Sequence, residues 1–166
     1  MKQIELLNKS HNREGFDCGN TALNQFLQQT ARQHNQKGIS RTFVLIDSDR
    51  PQEEIIGFFT LTLCEVLVEK LPPTLAKKYP LRVPGVKLAR LAVDKSWQGQ
   101  GIGEILMVEA MERALLVADT AGGIGLFVDA KDETAKIYYE RYGFVSLKDR
   151  PLELFLPLSV IQSLLE

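Results

Sequence analysis

Apolar positions recur along this chain with two periods, and the switches between them outline its elements. Met1 to Leu7 alternates loosely and predicts an edge strand. Leu23, Phe26, Leu27, Thr30 and Ala31 repeat at i, i+3 and i+4, the spacing of an amphipathic helix, with Asn24, Gln25, Gln28, Gln29 and Arg32 on its other faces. Phe16-Asp17-Cys18-Gly19-Asn20 ahead of it is turn material; Asn20 or Thr21 caps the helix, which is expected to end near Asn35, before Gly38. Thr42 to Asp47 is β-branched and aromatic, hence a strand. Ser48-Asp49-Arg50-Pro51 turns the chain into a longer strand, Ile55 to Val68. Phe58, Thr60 and Thr62 share one face of it and Phe59, Leu61 and Leu63 the other, so the two strands form a β-hairpin.

The second half alternates more regularly. Lys70 to Pro84 carries Pro72, Pro73, Pro80 and Pro84 and reads mostly as loop, with a helical turn around Thr74 to Lys78. Leu88 to Asp94 reads as a buried strand. Ile102, Ile105, Leu106, Met107, Ala110, Ala114, Leu115 and Val117 mark a helix of about four turns that stops near Gly122-Gly123. Ile124 to Asp129 is a short buried strand. Asp132 caps a helix on which Ala135, Tyr138, Tyr139 and Tyr142 share a face, with Gly143 as its C′ glycine. Phe144 to Leu147 and Leu152 to Leu156 predict a strand pair, and Ser159 to Leu165 a tail helix. With no repeat or linker in its 166 residues, the chain reads as a single domain, 1–166, of mixed α/β class.

Composition narrows the setting. Hydrophobic residues make up 45% and charged residues 25%, which is ordinary for a globular protein. No apolar run reaches the roughly 20 residues that span a bilayer, and Met1 to Glu5 lacks a signal-peptide core, so a cytoplasmic location without a membrane is expected. Cys18 and Cys64 lack metal-ligand spacing, and His11 and His34 complete no cluster; no metal is expected. The net charge of −1 conceals an uneven distribution. Residues 18–46 and 70–93 contain no acid, whereas Glu104, Glu109, Glu112, Asp119, Asp129, Asp132, Glu133 and Glu140 follow. Two readings stay open: scattered solvated charge, or a basic side facing a polyanion such as coenzyme A or RNA.

The candidate chemistry lies after the Leu88–Asp94 strand. Gln98-Gly99-Gln100-Gly101-Ile102-Gly103 sets three glycines in six residues and leads into the long helix. A glycine loop that opens a helix presents unpaired N–H groups beside the positive end of the helix dipole, where a phosphate or pyrophosphate is held. Glu104 stands where a dinucleotide G-x-G-x-x-G would need glycine, and no Lys-Ser/Thr pair follows Gly103 as a P-loop requires. Gln-x-x-Gly-x-Gly after Leu91-Ala92-Val93-Asp94 resembles the coenzyme A loop of the GCN5-related N-acetyltransferases (GNAT). Ala135 to Phe144, with a tyrosine ahead of x-x-x-Gly-Phe, resembles a second signature of that family, about 40 residues on, in the family's order.

That resemblance implies a central, mostly antiparallel, splayed sheet with helices on both faces, and an acetyl-CoA-dependent N-acetyltransferase. Backbone groups from Gln98, Gly99, Gln100, Gly101, Ile102, Gly103 and Glu104 are expected on the pyrophosphate, with Leu91, Ala92 and Val93 pairing the pantetheine arm at a bulge that forms an oxyanion site. Tyr139 falls at the family's general acid, which protonates the departing thiolate; Tyr138 and Tyr142 read as core. No Asn, Asp or Glu base is evident.

A narrower resemblance covers nearly the whole chain. Phe16-Asp17-Cys18-Gly19, Leu23 to Leu27, Arg41 to Val44, Ile56 to Leu61, Leu88 to Asp94 and Val128 to Glu133 are similar to the GNAT toxins of bacterial toxin–antitoxin pairs. It implies acetylation of the α-amino group of aminoacyl-tRNA, a ribbon-helix-helix antitoxin and a homodimer. Arg32, Lys37, Lys77, Lys78, Arg82 and Arg90 are then the candidate RNA contacts. The toxins tend to be basic, and the net charge of −1 here departs from that pattern. It leaves either a local patch for tRNA or another amine as acceptor. The alternatives are a small-molecule or protein-amine acetyltransferase, and a non-catalytic coenzyme A-binding protein.

Overall fold

The computed structural model describes residues 1–50 and 53–166. Hydrogen bonding orders seven strands as β1-β2-β3-β4-β5-β7-β6. They are β1 (Lys2–Leu6), β2 (Arg41–Asp47), β3 (Gly57–Leu67), β4 (Arg82–Val93), β5 (Gly125–Asp129), β6 (Val145–Leu147) and β7 (Arg150–Pro157). Pairs β1/β2, β2/β3, β5/β7 and β6/β7 are antiparallel, and β4/β5 is parallel. The helices are α1 (Thr21–Gln25), α2 (Ala31–Lys37), α3 (Pro73–Ala76), α4 (Ile102–Ala121), α5 (Glu133–Glu140) and α6 (Leu158–Leu165). The expected mixed, mostly antiparallel sheet is therefore present. The chain divides into two compact units, residues 1–62 with 89–110 and residues 63–88 with 111–166.

In the first unit β1 is the predicted edge strand, in register from Lys2 with Asp47 to Leu6 with Phe43. Thr42 and Thr60 face each other across β2 and β3, and their buried hydroxyls bond at 2.8 Å, which removes the cost of burying two polar groups. Helices cover both faces of this sheet. A Cβ at Gly57 would lie 2.9 Å from Leu106 of α4, whereas the next residue, Phe58, packs against Phe16 and Phe26. The first helix departs from the continuous one expected. Asn20 caps α1 as predicted, its side chain accepting the Leu23 N–H. Phe26–Thr30 then forms a π-helical turn before α2, in which the Ala31 N–H reaches back to the Phe26 carbonyl. The wider turn keeps Phe26, Leu27 and Ala31 all buried, which periodicity alone does not reveal. The helix also runs to Lys37, past the expected end, and closes on Gly38 at φ +72°. The predicted turn after β2 ends on Pro51, outside the described residues; its earlier part is present, with the Arg50 N–H on the Asp47 carbonyl at 3.1 Å.

In the second unit β4 begins at Arg82, so the prolines expected to mark loop up to Pro84 hide the first part of a strand. Pro84 keeps a carbonyl even though it lacks an N–H, and that carbonyl accepts from Ile124 at 2.9 Å. Ahead of it, α3 supplies the expected helical turn. Leu71 is buried there, and Leu75, Ala76 and Tyr79 pack on the core of Val83, Phe127, Leu147 and Phe155. Cys64 joins this core, and burial pushes its thiol up to about 11. The helix after the glycine loop is longer than the four turns expected, at 20 residues. Gly143 is positive in φ, at +101°, but follows a turn through Arg141 and Tyr142 rather than directly ending α5 at Glu140.

Gly85 lets Phe127 lie flat against β4, where a Cβ would sit 2.4 Å from the ring, and Phe127 stacks on Phe155 at 4.6 Å. Gly85→Ala is therefore expected to destabilise the protein by about 1–3 kcal/mol, read as a lower urea midpoint at unchanged slope. An unchanged midpoint would mean that Phe127 yields freely.

Candidate active site

In the first unit the end of β4 is fastened before the glycines begin. The Asp94 N–H donates to the Ile56 carbonyl at 2.9 Å. Its carboxylate accepts from the Ser96 N–H (2.9 Å), the Ser96 hydroxyl (2.6 Å) and the Asp17 N–H (3.0 Å). Burial pushes the Asp94 carboxyl up, but these hydrogen bonds outweigh it and hold the group below the usual carboxylate range. The Lys95 N–H reaches the Asp17 carbonyl at 2.8 Å, and the Gln98 amide donates to the Val93 carbonyl at 2.9 Å and the Cys18 carbonyl at 3.2 Å. The Gln98 side chain thus braces the loop. One of its partners, Cys18, lies 80 positions away, so no sequence pattern revealed that link.

Gly99 and Gly101 follow at φ +77° and +79°, conformations that side chains rarely adopt, and a Cβ at either would meet nothing within 4 Å. The loop therefore leaves open space over its backbone. Helix α4 starts at Ile102, whose side chain is buried, and the Ile105 N–H is bonded back to the Gly101 carbonyl at 3.3 Å. The N–H groups of Ile102, Gly103 and Glu104 belong to the turn that has no intrahelical acceptor, at the positive end of a 20-residue helix. This is chemistry suited to a diphosphate. Among the strand candidates, Ala92 is buried and Leu91 and Val93 are half-buried.

In the second unit Tyr139 stands on α5, which Asp132 caps as expected by accepting the Ala135 N–H at 2.8 Å. The Tyr139 ring packs edge-on against Tyr138 and Phe144, 5.4 and 5.6 Å between centroids. Burial pushes its hydroxyl up to about 12, and no hydrogen bond engages that hydroxyl among the described residues. Its neighbours differ: the Tyr138 and Tyr142 hydroxyls bond each other at 3.3 Å, and desolvation together with that bond raises Tyr138 further. The three tyrosines, two on α5 and Tyr142 in the turn that follows it, thus separate into a mutually satisfied pair and one neutral phenol with its proton uncommitted.

The six cations expected to contact RNA divide between the units. Arg32, Lys37 and Arg90 lie in the first; Lys77, Lys78 and Arg82 lie in the second. Arg82 is engaged with Glu65 at 3.1 Å. The Arg90 guanidinium carbon lies over the Phe26 ring, 3.6 Å from its centroid, a contact that local sequence could not reveal because the partners are far apart in the chain. One expectation is corrected. His11, read as completing no cluster, is grouped with Glu5 and Glu53, one ligand-type atom from each within 4.8 Å. Both its ring nitrogens are occupied, however: Nδ1 accepts the Asn8 N–H at 3.0 Å and Nε2 is paired with Glu5 at 2.8 Å. Asn8, His11 and Glu5 thus form a hydrogen-bonded brace.

Comparison with known proteins adds to this geometry. The model of the acetyltransferase (GNAT) domain matches residues 38–146. A tRNA-acetylating toxin of Mycobacterium tuberculosis (strain ATCC 25618 / H37Rv) is 31% identical over 141 residues, covering 85% of this chain and 82% of its own. The crystal structure of a tyrosine-to-phenylalanine mutant of KacT has a TM-score of 0.92 at 36% identity, covering 98% of each chain. AtaT complexed with acetyl-methionyl-tRNAfMet has a TM-score of 0.92 at 33% identity, covering 100% of each chain.

Proposed function

The chain belongs to the GNAT acetyltransferase family, and from that premise we propose that it acetylates the α-amino group of aminoacyl-tRNA and so blocks translation. The protein is an acetyl-CoA-dependent N-acetyltransferase. The tRNA acceptor is supported by the relatives, one a tRNA-acetylating toxin and one seen with an acetylated aminoacyl-tRNA. The observation that carries the catalytic assignment is the uncommitted Tyr139 hydroxyl, set beside two tyrosines that satisfy each other.

Each part has a defined task. The N–H groups from Gln98 to Glu104 bind the diphosphate, and the open backbone at Gly99 and Gly101 admits it closely. Leu91 to Val93 pair the pantetheine arm, and one of their N–H groups polarises the acyl carbonyl. When bound, acetyl-CoA supplies a thioester whose acyl carbon accepts the amine. As the C–N bond forms and the C–S bond breaks, Tyr139 gives its proton to the departing sulfur. The amine loses a proton to solvent, from which Tyr139 is reprotonated. An acid and backbone donors suffice, so the step calls for no metal. Residues 1–166 are read as one domain, since β3, β4 and α4 each contribute residues to both units. A ribbon-helix-helix antitoxin as inhibitor, a homodimer and a cytoplasmic site of action complete the proposal. Among the described residues no helix is long and apolar enough to cross a membrane.

The pH dependence tests the assignment. An α-amino group titrates near ~7.7–8.0, so kcat/KM for charged tRNA should rise as pH passes through that range. It should then stay level to pH 10, because burial keeps Tyr139 protonated up to about 12. A fall beginning near pH 9 would remove Tyr139 from the role of acid.

A further inference from the structure

Arg90 is a half-buried cation with no carboxylate partner among the described residues. Its guanidinium lies over the Phe26 ring at 3.6 Å, and no hydrogen bond or ion pair to it is present among the described residues. Partial desolvation without an anion is unfavourable, and desolvation accordingly lowers the Arg90 pKa from its ordinary value. The platform beneath it is itself fixed. Phe26 begins the π-helical turn, is buried, and packs against Phe58 at 6.5 Å and His34 at 5.8 Å. The contact restrains the guanidinium against the ring and leaves its N–H donors free to grip an oxyanion.

The face on which Arg90 sits decides which anion it meets. On β3, Gly57 faces Ile102 and Leu106 of α4, while Phe58 faces the opposite way, towards Phe16 and Phe26. Ala92 belongs to the core cluster of Phe26 and Phe58, and Arg90, two residues earlier on β4, shares that side. Arg90 therefore lies on the sheet face away from α4, whereas the diphosphate is assigned to the loop that opens α4.

We propose that the Arg90–Phe26 stack is a preformed grip for one backbone phosphate of the RNA acceptor, with Arg90 as the contact and Phe26 as its positioning residue. This rests on the aminoacyl-tRNA reading above. It singles out Arg90 from the other five candidate cations because, among the described residues, it is the one of the six held against an aromatic face.

The test is steady-state kinetics with charged tRNA over a series of salt concentrations. Arg90→Gln should raise KM for charged tRNA about tenfold or more. It should also flatten the plot of log kcat/KM against log salt by ~0.7–0.9, the loss of one phosphate contact, with KM for acetyl-CoA unchanged. Phe26→Leu should raise KM for tRNA but keep the salt slope, since the charge remains. An unchanged slope in Arg90→Gln, or a rise in KM for acetyl-CoA as large as that for tRNA, overturns the proposal. Should Arg90→Gln fail to show a cooperative melt, Arg90→Lys decides: it keeps the charge but loses the stacked fork, so unchanged KM for tRNA overturns the grip. Wild-type protein that acetylates no charged tRNA would overturn the substrate reading and this proposal with it.

Discussion

Tyr139→Phe is expected to lower kcat by about 10²–10⁴-fold, the usual contribution of a positioned general acid, while the dissociation constant for acetyl-CoA stays unchanged. The substitution removes one oxygen and leaves the ring. Edge-on packing against Tyr138 and Phe144 is retained, and no hydrogen bond is lost, because none engages the hydroxyl among the described residues. A structural tyrosine in the same place would give the opposite pattern, with stability altered and kcat spared. Tyr142→Phe is the control. It breaks the bond between the Tyr138 and Tyr142 hydroxyls and should alter stability while sparing the chemical step. Thermal melting, calorimetry with acetyl-CoA and single-turnover acetylation separate the outcomes. A Tyr139→Phe protein with wild-type kcat would remove the phenol from the mechanism.

The second large effect is expected at the loop. Gly101→Val should weaken acetyl-CoA binding by at least about tenfold, because a β-branched residue at φ +79° is a genuine outlier and the loop must leave its conformation to accommodate it. The open space around Gly101 means that the strain is in the backbone and not in a clash. Stability should change little, since the loop is held elsewhere, by Gln98 on Val93 and Cys18 and by Asp94 on Ser96 and Asp17. Calorimetric titration with acetyl-CoA reads the effect. Equal affinity in Gly101→Val and wild type would show that the diphosphate is held somewhere other than this loop.

What was legible in the sequence was local. Gln98 to Gly103 follows a strand and precedes a helical repeat within one short stretch, so glycine chemistry and position could be read together. Asp132 three residues ahead of Ala135 signalled a cap in the same way. What stayed hidden depended on partners remote in the chain. Gln98 reads as a motif residue, yet its amide also clamps the remote carbonyl of Cys18. The π-helical turn at Phe26–Thr30 follows from burying Phe26, Leu27 and Ala31 together, which tertiary packing decides over local period. Prolines marked 70–84 as loop, while Pro84 stands inside β4 because its carbonyl, and not its missing N–H, makes the bond to Ile124. The motif set Tyr139 apart from Tyr138 and Tyr142, but the bond between the hydroxyls of those two emerged only in the structure.

The central claim is that this fold carries acetyl from coenzyme A to the α-nitrogen of an amino acid esterified to tRNA. The direct measurement is incubation of the wild-type protein with bulk charged tRNA and labelled acetyl-CoA. Alkaline release of the amino acids and identification of the labelled products then follow. The account predicts N-acetylated amino acids in amounts matched by free coenzyme A thiol, with both products formed about 10²–10⁴-fold more slowly by Tyr139→Phe. No label in the tRNA fraction, even where added polyamines or peptides become labelled, or no thiol released at all, would contradict it.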